Sequence, residues 1–203
     1  MTGICSVILA AGSSRRLGFN KLTLKIDSVA VIRKSVSVFA GAGLGNIFVV
    51  AGPDLPSITR ELDGLAVTVV HNNEHNSGMS SSIKAALPCI RGAEAVFFHL
   101  GDKPFIQKNL LEDMVEAYRT NRKNIVIAVC GGIKGHPVLM KVGPYFEEME
   151  GLQGDKGLRE VIEKHKEDVL FLETDEGALF DIDTADDIRT LIERGYNVEK
   201  GQS

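Results

Sequence analysis

The feature that most constrains the fold is a regular alternation between short apolar runs, rich in β-branched residues, and segments with helical periodicity. The apolar runs have the length of strands and cover residues 4–10, 46–51, 65–71, 94–100 and 124–130. Between them, apolar residues recur at spacings of three and four in Val29–Phe39, Ser81–Ile90 and Leu110–Tyr118. Strands that are apolar on both faces and alternate with helices predict an α/β fold with a mostly parallel sheet.

The last third of the chain breaks this alternation. Stretches typical of strands follow one another closely at 136–141, 168–173 and 178–182, with helices expected near 157–165 and 184–194. A parallel crossover needs a dozen or more residues, and this spacing leaves little room for one. We therefore expect at least one strand to run antiparallel to the others.

The composition narrows the class of protein. The chain has 203 residues, 44% hydrophobic and 25% charged, and because no linker divides it we expect a single domain over residues 1–203. No apolar run is long enough to cross a bilayer, and a net charge of −4 gives no basic footprint, so we expect no membrane and no nucleic-acid partner. Cys5, Cys89 and Cys130 lack Cys-x-x-Cys spacing, and no secretory signal is visible, which favours a reduced, cytoplasmic protein.

A phosphate-binding loop is predicted after the first strand. The apolar run Val7–Leu9 passes into small residues around Gly12, and Arg15, Arg16 and Lys21 follow within one short window. Small residues let backbone amides approach a ligand, consecutive amides form an anion site, and the cations add positive charge where a triphosphate would lie. The alternative is a strand that ends in a solvated basic loop.

An acidic turn, Gly101-Asp102-Lys103-Pro104, follows the fourth predicted strand. A carboxylate at the carboxyl end of a strand, beside a flexible glycine and a rigid proline, is well placed to hold Mg²⁺ against phosphate oxygens. Alternatively, Asp102 is the N-cap of a helix that begins near Phe105.

A serine-rich helix start is predicted after the third strand. Gly78 precedes Ser80, Ser81 and Ser82, and the N-terminus of a helix with serine hydroxyls offers donors to an anion. An ordinary serine N-cap explains one of the serines equally well. Asn72 either presents its amide to a base edge or caps the end of the strand.

A second acidic cluster lies near the C-terminus. If residues 178–182 form a strand that continues past them, Asp181 and Asp183 face the same side, and their mutual repulsion favours a cation nearby. The alternative is the start of the final helix, with Asp183 or Thr184 as the N-cap and residues 186–187 in its first turn.

The order of these motifs resembles the nucleotidyltransferases that act on the molybdenum cofactor. Residues 9–21 match the signature L-A-[AG]-G-x-S-x-R-x-G-x-x-K, and the Ala10-Ala11 pair is similar to the cytidylyltransferase branch. Residues 78–83 match Gly-Met-Ser-x-Ser-Ile, and the turn at Asp102 matches Gly-Asp-x-Pro. The pattern Asp-Ile-Asp-Thr-Pro is matched at residues 181–185 except that Ala185 replaces proline.

Two further segments resemble the acceptor side of that family. Residues 135–138 match its Gly-His-Pro-Val motif, and residues 154–159 match Gly-Asp-x-Gly-Ala-Arg with Leu158 in place of alanine. The resemblance implies that His136 and Arg159 contact the acceptor. Considered alone, His136 can donate a hydrogen bond to a pterin or a phosphate, whereas Arg159 can equally form a surface ion pair.

The resemblance implies a Rossmann-like three-layer α/β/α sandwich that transfers CMP from CTP to the phosphate of molybdopterin, or of its molybdenum-loaded form, with Mg²⁺ as the cofactor. It implies that Arg16, Lys21 and Asp102 are catalytic and that Asp102 and Asp183 bind the metal. The residues expected at the nucleotide are Leu9, Ala10, Ala11, Gly12, Ser13, Arg16, Lys21, Asn72, Gly78, Ser80 and Ser82.

Three alternatives stay open: a guanylyltransferase, a sugar- or alcohol-phosphate nucleotidyltransferase of the same fold, and a non-catalytic module that binds or delivers a nucleotide or cofactor. The resemblance also implies a transient contact with a molybdoenzyme or its chaperone.

Overall fold

The computed structural model describes residues 3–12 and 17–201. Its strands are β1 Ile4–Ala10, β2 Lys25–Ile26, β3 Val29–Ala30, β4 Ile47–Ala51, β5 Thr68–His71, β6 Ala95–Leu100, β7 Ile125–Cys130, β8 Ile133–Lys141, β9 Val169–Glu173 and β10 Val198–Glu199. Its α-helices are α1 Val31–Ala42, α2 Leu55–Glu61, α3 Met79–Ile90, α4 Lys108–Thr120, α5 Phe146–Glu150, α6 Arg159–Lys164 and α7 Ala185–Glu193.

Seven of the strands form one sheet in the order β5-β4-β1-β6-β8-β7-β9. The pairs β1–β4, β1–β6, β4–β5 and β7–β9 are parallel. Strand β8 runs antiparallel to both of its neighbours, β6 and β7. The expected α/β fold with a mostly parallel sheet and an antiparallel strand is therefore confirmed.

The antiparallel strand follows from a tight turn. Cys130 and Ile133 are paired, so that only Gly131 and Gly132 connect β7 to β8. Both glycines have positive φ, 57° and 79°. A two-residue hairpin of this kind requires left-handed backbone conformations that glycine adopts easily, and it can join only antiparallel strands.

Helices cover both faces of the sheet. Side chains of β1 alternate, so that Ile4 and Ile8 join one buried cluster whereas Cys5 and Val7 join the other. Helices α1, α2, α4 and α7 contribute apolar side chains to the first cluster, and α3, α5 and α6 contribute to the second. This is the three-layer α/β/α arrangement that the resemblance implies. Within residues 3–12 and 17–201, no helix combines the length and apolar character needed to span a membrane.

The structure differs from the sequence prediction in the last third of the chain. Residues 178–182 do not form a strand: a short 3-10 turn, Glu176–Ala178, is followed by an irregular segment that leads into α7. The apolar residues of this stretch, among them Ala178 and Ile182, pack into the core from outside the sheet. The sequence prediction also missed α2, α5 and a small sheet in the order β10-β2-β3. Two-residue strands leave too little periodicity to detect.

Candidate active site

The candidate residues lie where parallel strands end at one edge of the sheet. Strand β1 is in register with β6 through Leu9 and Leu100, and with β4 through Ala10 and Ala51. The segments that follow these strands therefore leave the sheet side by side. In open α/β sheets, ligands bind at this edge.

A cavity of about 450 Å³ opens there, and we call it the Lys21 cavity. From the predicted nucleotide and metal contacts it brings together Leu9, Ala10, Ala11, Gly12, Lys21, Gly78, Ser82 and Asp102. Asn72 and Ser80 are buried and do not line it, and the predicted metal contact Asp183 does not line it either. The predicted contacts Ser13 and Arg16 lie outside the described residues.

Lys21 joins the two acidic clusters. Its ammonium donates a hydrogen bond to Asp102 Oδ2 at 2.5 Å and another to Asp183 Oδ1. Burial by itself lowers the pKa of Lys21, but the charges and hydrogen bonds of the two carboxylates outweigh burial, and the net pKa is raised. Lys21 is therefore a full cation held between two carboxylates that follow it in the sequence by 81 and 162 residues.

The two carboxylates fit a divalent cation. They already converge on one positive charge, and Asp102 Oδ1 is buried without a hydrogen-bond partner among the described residues, which leaves an oxygen available for coordination. The described part of the chain contains no group of three or more His, Cys, Asp or Glu side chains that could hold a metal. A metal here would therefore take its other ligands from substrate phosphates and water, as Mg²⁺ commonly does.

The capping alternatives for the acidic residues do not account for this pair. Helix α4 begins at Lys108 with Gln107 as its N-cap, so Asp102 caps no helix start. At α7 the N-cap is Thr184, whose side chain forms a capping box with Asp187, and the carboxylate of Asp183 is left to face Lys21.

Asp181 faces a different cation from Asp183. Because residues 178–182 form no strand, strand alternation does not place the two carboxylates together as expected. Asp181 Oδ2 lies 3.6 Å from the ammonium of Lys103, whereas Asp183 binds Lys21. This geometry favours Asp183 over Asp181 as the partner of Asp102.

Asn72 supports the start of α3. Its Nδ2 donates to the hydroxyl oxygens of Ser81 at 2.9 Å and Ser82 at 3.0 Å, and its Oδ1 accepts the backbone N–H of Glu74 at 2.9 Å. The structural role is thus favoured over contact with a base. Because Ser82 already accepts from Asn72, its own hydroxyl proton is available to a ligand in the Lys21 cavity.

Gly78 allows the loop of residues 154–157 to pack against α3. Its backbone, at φ 89° and ψ 179°, lies in a region essentially restricted to glycine. A Cβ at Gly78 would lie 2.6 Å from the carbonyl carbon and oxygen of Gly154, and the Ser80 N–H donates to that carbonyl at 3.0 Å. This contact places Asp155 at the rim of the Lys21 cavity.

A second cavity, of about 520 Å³, adjoins the first, and we call it the Arg159 cavity. Both cavities are lined by Leu9, Met79 and Asp155. The predicted acceptor contacts His136 and Arg159 both line the second cavity. Arg159 is exposed and forms no ion pair with a described carboxylate, so the surface ion-pair alternative is not realised there.

The Arg159 cavity has a positive wall with a neutral histidine. Lys134, Lys156 and Arg159 supply three cations against the carboxylates of Asp155 and Glu163. Burial, followed by the nearby charge of Lys103, lowers the pKa of His136 to about 4, so the imidazole is neutral at pH 7. A neutral imidazole offers a hydrogen bond to a ligand without adding charge.

Sequence reasoning missed two residues in this region. Lys103 occupies the variable position of its motif, and nothing in the local sequence reveals that its side chain is buried. Asp155 belongs to a segment that was matched to the acceptor side, but its place on the boundary between the cavities depends on the packing of that segment against Gly78.

Comparisons with known proteins agree with this geometry. Residues 6–169 match the profile of the MobA-like NTP transferase domain. A molybdenum cofactor cytidylyltransferase from Escherichia coli K12 is 26% identical over 195 residues, which cover 96% of this chain and 98% of that protein.

Solved structures show the same fold. Rv0371c from Mycobacterium tuberculosis H37Rv, in complex with manganese, superposes with a TM-score of 0.77 at 26% identity and covers 94% of this chain and 98% of its own. A nucleotidyl transferase from Methanothermobacter superposes with a TM-score of 0.80 at 21% identity, with 94% and 96% of the two chains covered.

Proposed function

The chain belongs to the MobA-like NTP transferase domain family and is a nucleotidyltransferase, and we propose that it transfers CMP from CTP to the phosphate of molybdopterin, or of its molybdenum-loaded form, with release of pyrophosphate. The observation that carries this proposal is the convergence of Asp102 and Asp183 on one cation beside two adjoining cavities. One cavity is suited to the triphosphate and the other to the acceptor.

In this proposal the triphosphate lies in the Lys21 cavity. The backbone around Gly12 and the side chains of Lys21 and Arg16 bind its phosphates, and the hydroxyl of Ser82 donates a further hydrogen bond. Mg²⁺ held by Asp102 and Asp183 would neutralise phosphate charge and polarise the α-phosphate. Positioning and charge neutralisation, rather than covalent chemistry by the protein, then account for the rate.

The acceptor lies in the Arg159 cavity. Its phosphate is already ionised at neutral pH, so no general base is needed, in agreement with the low pKa of His136, about 4. Arg159 and the two lysines of the positive wall attract the phosphate, and His136 contributes a hydrogen bond. Leu9, Met79 and Asp155 border both cavities, so the acceptor oxygen can approach the α-phosphate there.

The choice of CTP rests on the Ala10-Ala11 pair and on the similarity to the cytidylyltransferase of Escherichia coli. A transient contact with a molybdoenzyme or its chaperone, which would receive the product, belongs to the same proposal.

The direct test is release of pyrophosphate from CTP, GTP, ATP and UTP, each with Mg²⁺ and with molybdopterin or a sugar phosphate as the acceptor. We expect CTP with molybdopterin to give the highest kcat/KM. Preference for GTP would identify a guanylyltransferase, and preference for the sugar phosphate would identify another acceptor class.

A non-catalytic delivery module is distinguished by binding without turnover. Such a module would be stabilised by CTP in a thermal unfolding assay yet release no pyrophosphate with any acceptor. If the protein is an enzyme, Asp102→Ala should lose pyrophosphate release. The matched control is Asp113→Ala, because Asp113 is exposed on α4 and its carboxylate lies outside both cavities.

A further inference from the structure

Lys103 is the only Lys, Arg, Asp or Glu that is buried among the described residues, with 6% of its surface exposed. Charged side chains are rarely buried unless they are paired, because removing an ammonium from water is costly. The burial of Lys103 beside the candidate metal site therefore needs a structural explanation.

Both ends of Lys103 are engaged. Its backbone N–H donates to the Leu100 carbonyl at 3.2 Å, and its own carbonyl is 3.0 Å from Nε2 of His99, which fixes the residue to the end of β6. Its ammonium donates to the Leu179 carbonyl at 2.6 Å and lies 3.6 Å from Asp181 Oδ2. The side chain thus connects the acidic turn to the segment of residues 179–183.

That segment has no place in the sheet. Its hydrogen bonds at the two ends are local, from the Leu179 N–H to the Glu176 carbonyl and from the Asp183 N–H to Asp187 Oδ2. They set the shape of the segment but do not connect it to the turn that carries Asp102.

Three contacts make that connection. The ring of Phe180 packs edge-to-face on Phe105, just after the turn, with the ring centroids 5.3 Å apart. Lys21 binds the carboxylates of Asp183 and Asp102. Lys103, the buried cation among these contacts, binds the Leu179 carbonyl at the start of the segment.

We propose that Lys103 is a positioning residue that attaches the segment of residues 179–183 to the acidic turn and thereby places Asp183 within reach of the cation bound by Asp102. The proposal rests on the proposed function, since it assigns a role in building the same metal site. Because Asp181 and the Leu179 carbonyl neutralise and bind the ammonium, Lys103 need not face the substrate. The residue acts through Asp183 and does not touch the reacting atoms.

The test compares Lys103→Met, which keeps an unbranched, flexible side chain as far as the ε position but removes the ammonium donor, with Lys123→Met as the matched control. Lys123 also donates to a backbone carbonyl, that of Glu167, but it is exposed and lines neither cavity. Hydrogen exchange of a peptide covering residues 179–186 reports on the segment in the free protein. Electron paramagnetic resonance reports the affinity for Mn²⁺ in the presence of CTP.

We expect Lys103→Met to accelerate exchange in that peptide and to weaken Mn²⁺ binding by roughly 10- to 100-fold, as is typical for residues that orient a metal ligand. Affinity for CTP without metal should be unchanged, and Lys123→Met should behave as the wild type. If Lys103→Met does not fold, Lys103→Gln replaces it, since glutamine is one bond shorter and does not reach the Leu179 carbonyl.

Unchanged exchange, or unchanged Mn²⁺ affinity, in the Lys103 variant would overturn the proposal. A wild-type protein that binds neither CTP nor Mn²⁺ would instead refute the proposed function, and this failure is distinguishable because it requires no variant. Asp181→Asn gives an additional check: a loss of Mn²⁺ binding greater than that of Asp183→Asn would make Asp181 the ligand and contradict the positioning role.

Discussion

Replacement of Gly78 by alanine should disrupt the two cavities, and this effect can be distinguished from a general loss of stability. The backbone conformation of Gly78 costs a residue with a Cβ about 1–3 kcal/mol. In addition, the new Cβ would lie 2.5 Å from Asp155 Oδ1 and 2.6 Å from the Gly154 carbonyl group. Contacts this close force the loop of residues 154–157 away from α3.

Two other glycines isolate these effects. Gly43 is the C-cap of α1 at φ 65° and ψ 29°, and a Cβ added to it would have no neighbour within 4 Å, so Gly43→Ala introduces strain of about 1–2 kcal/mol without overlap. A Cβ added to Gly92 would also have no neighbour within 4 Å, and the φ of Gly92 is not positive, so Gly92→Ala introduces neither backbone strain nor overlap. For a chain of this size, each kcal/mol lowers the melting temperature by roughly 2–4 °C.

The assay is thermal unfolding with and without CTP and Mg²⁺. At a ligand concentration of about 100 times Kd, binding stabilises the native state by about 2.7 kcal/mol, or roughly 5–11 °C. We expect Gly43→Ala and Gly92→Ala to keep this increment, and Gly78→Ala to lose most of it because both cavities share Asp155. A Gly78→Ala protein that keeps the full increment would refute the reasoning.

Three further predictions concern the charged groups. Asp102→Ala should fold normally but lose most Mg²⁺-dependent pyrophosphate release, whereas Asp113→Ala should not; normal turnover of Asp102→Ala would remove this carboxylate from the mechanism. Arg159→Ala should raise KM for the acceptor by roughly 10- to 100-fold, the equivalent of one hydrogen bond to a charged group, while CTP-induced stabilisation and the exposed control Arg119→Ala stay unchanged; an equal effect on CTP would place Arg159 at the nucleotide instead. Burial lowers the pKa of His99 from 6.5 to about 3 and that of His136 to about 4, so the unfolded state binds protons at a higher pH than the native state does. The contribution of the two neutral histidines to the free energy of unfolding should therefore be complete above pH 6.5. It should fall by up to about 1.4 kcal/mol per pH unit per histidine as the pH decreases towards about 5. Chemical denaturation across this range should show a smaller slope for His99→Gln, and an unchanged slope would contradict the assignment.

The sequence determined the elements that carry strong local patterns. The five apolar runs became β1, β4, β5, β6 and β7, because β-branched residues bounded by turn residues have few other ways to bury both faces. The stretch of residues 178–182 has the same apolar character but becomes irregular core packing, since no local signal distinguishes a strand from a buried segment without a partner strand.

For the candidate site, too, the sequence predicted some features and left others open. The small residues around Gly12 and the carboxylates of Asp102 and Asp183 predicted ligand-binding chemistry from residue type and position, but helix capping was an open alternative for both aspartates. Only the structure shows that Gln107 and Thr184 are the N-caps instead. The sequence left open which carboxylates share a cation and whether Asn72 presents its amide to a base or caps the end of the strand. The hydrogen bonds from Asn72 to Ser81 and Ser82 depend on how the end of β5 packs against α3.

Only the tertiary structure joined the parts. Lys21 contacts Asp102 and Asp183 across separations of 81 and 162 residues, and Lys103 is buried because the segment after residue 178 folds over it. Local sequence sets the chemistry of each side chain through its type and its place on a strand, turn or helix. Strand order and the packing of irregular segments against the sheet determine which cation the two distant carboxylates share. Both depend on the whole chain, so no single stretch of the sequence predicts them.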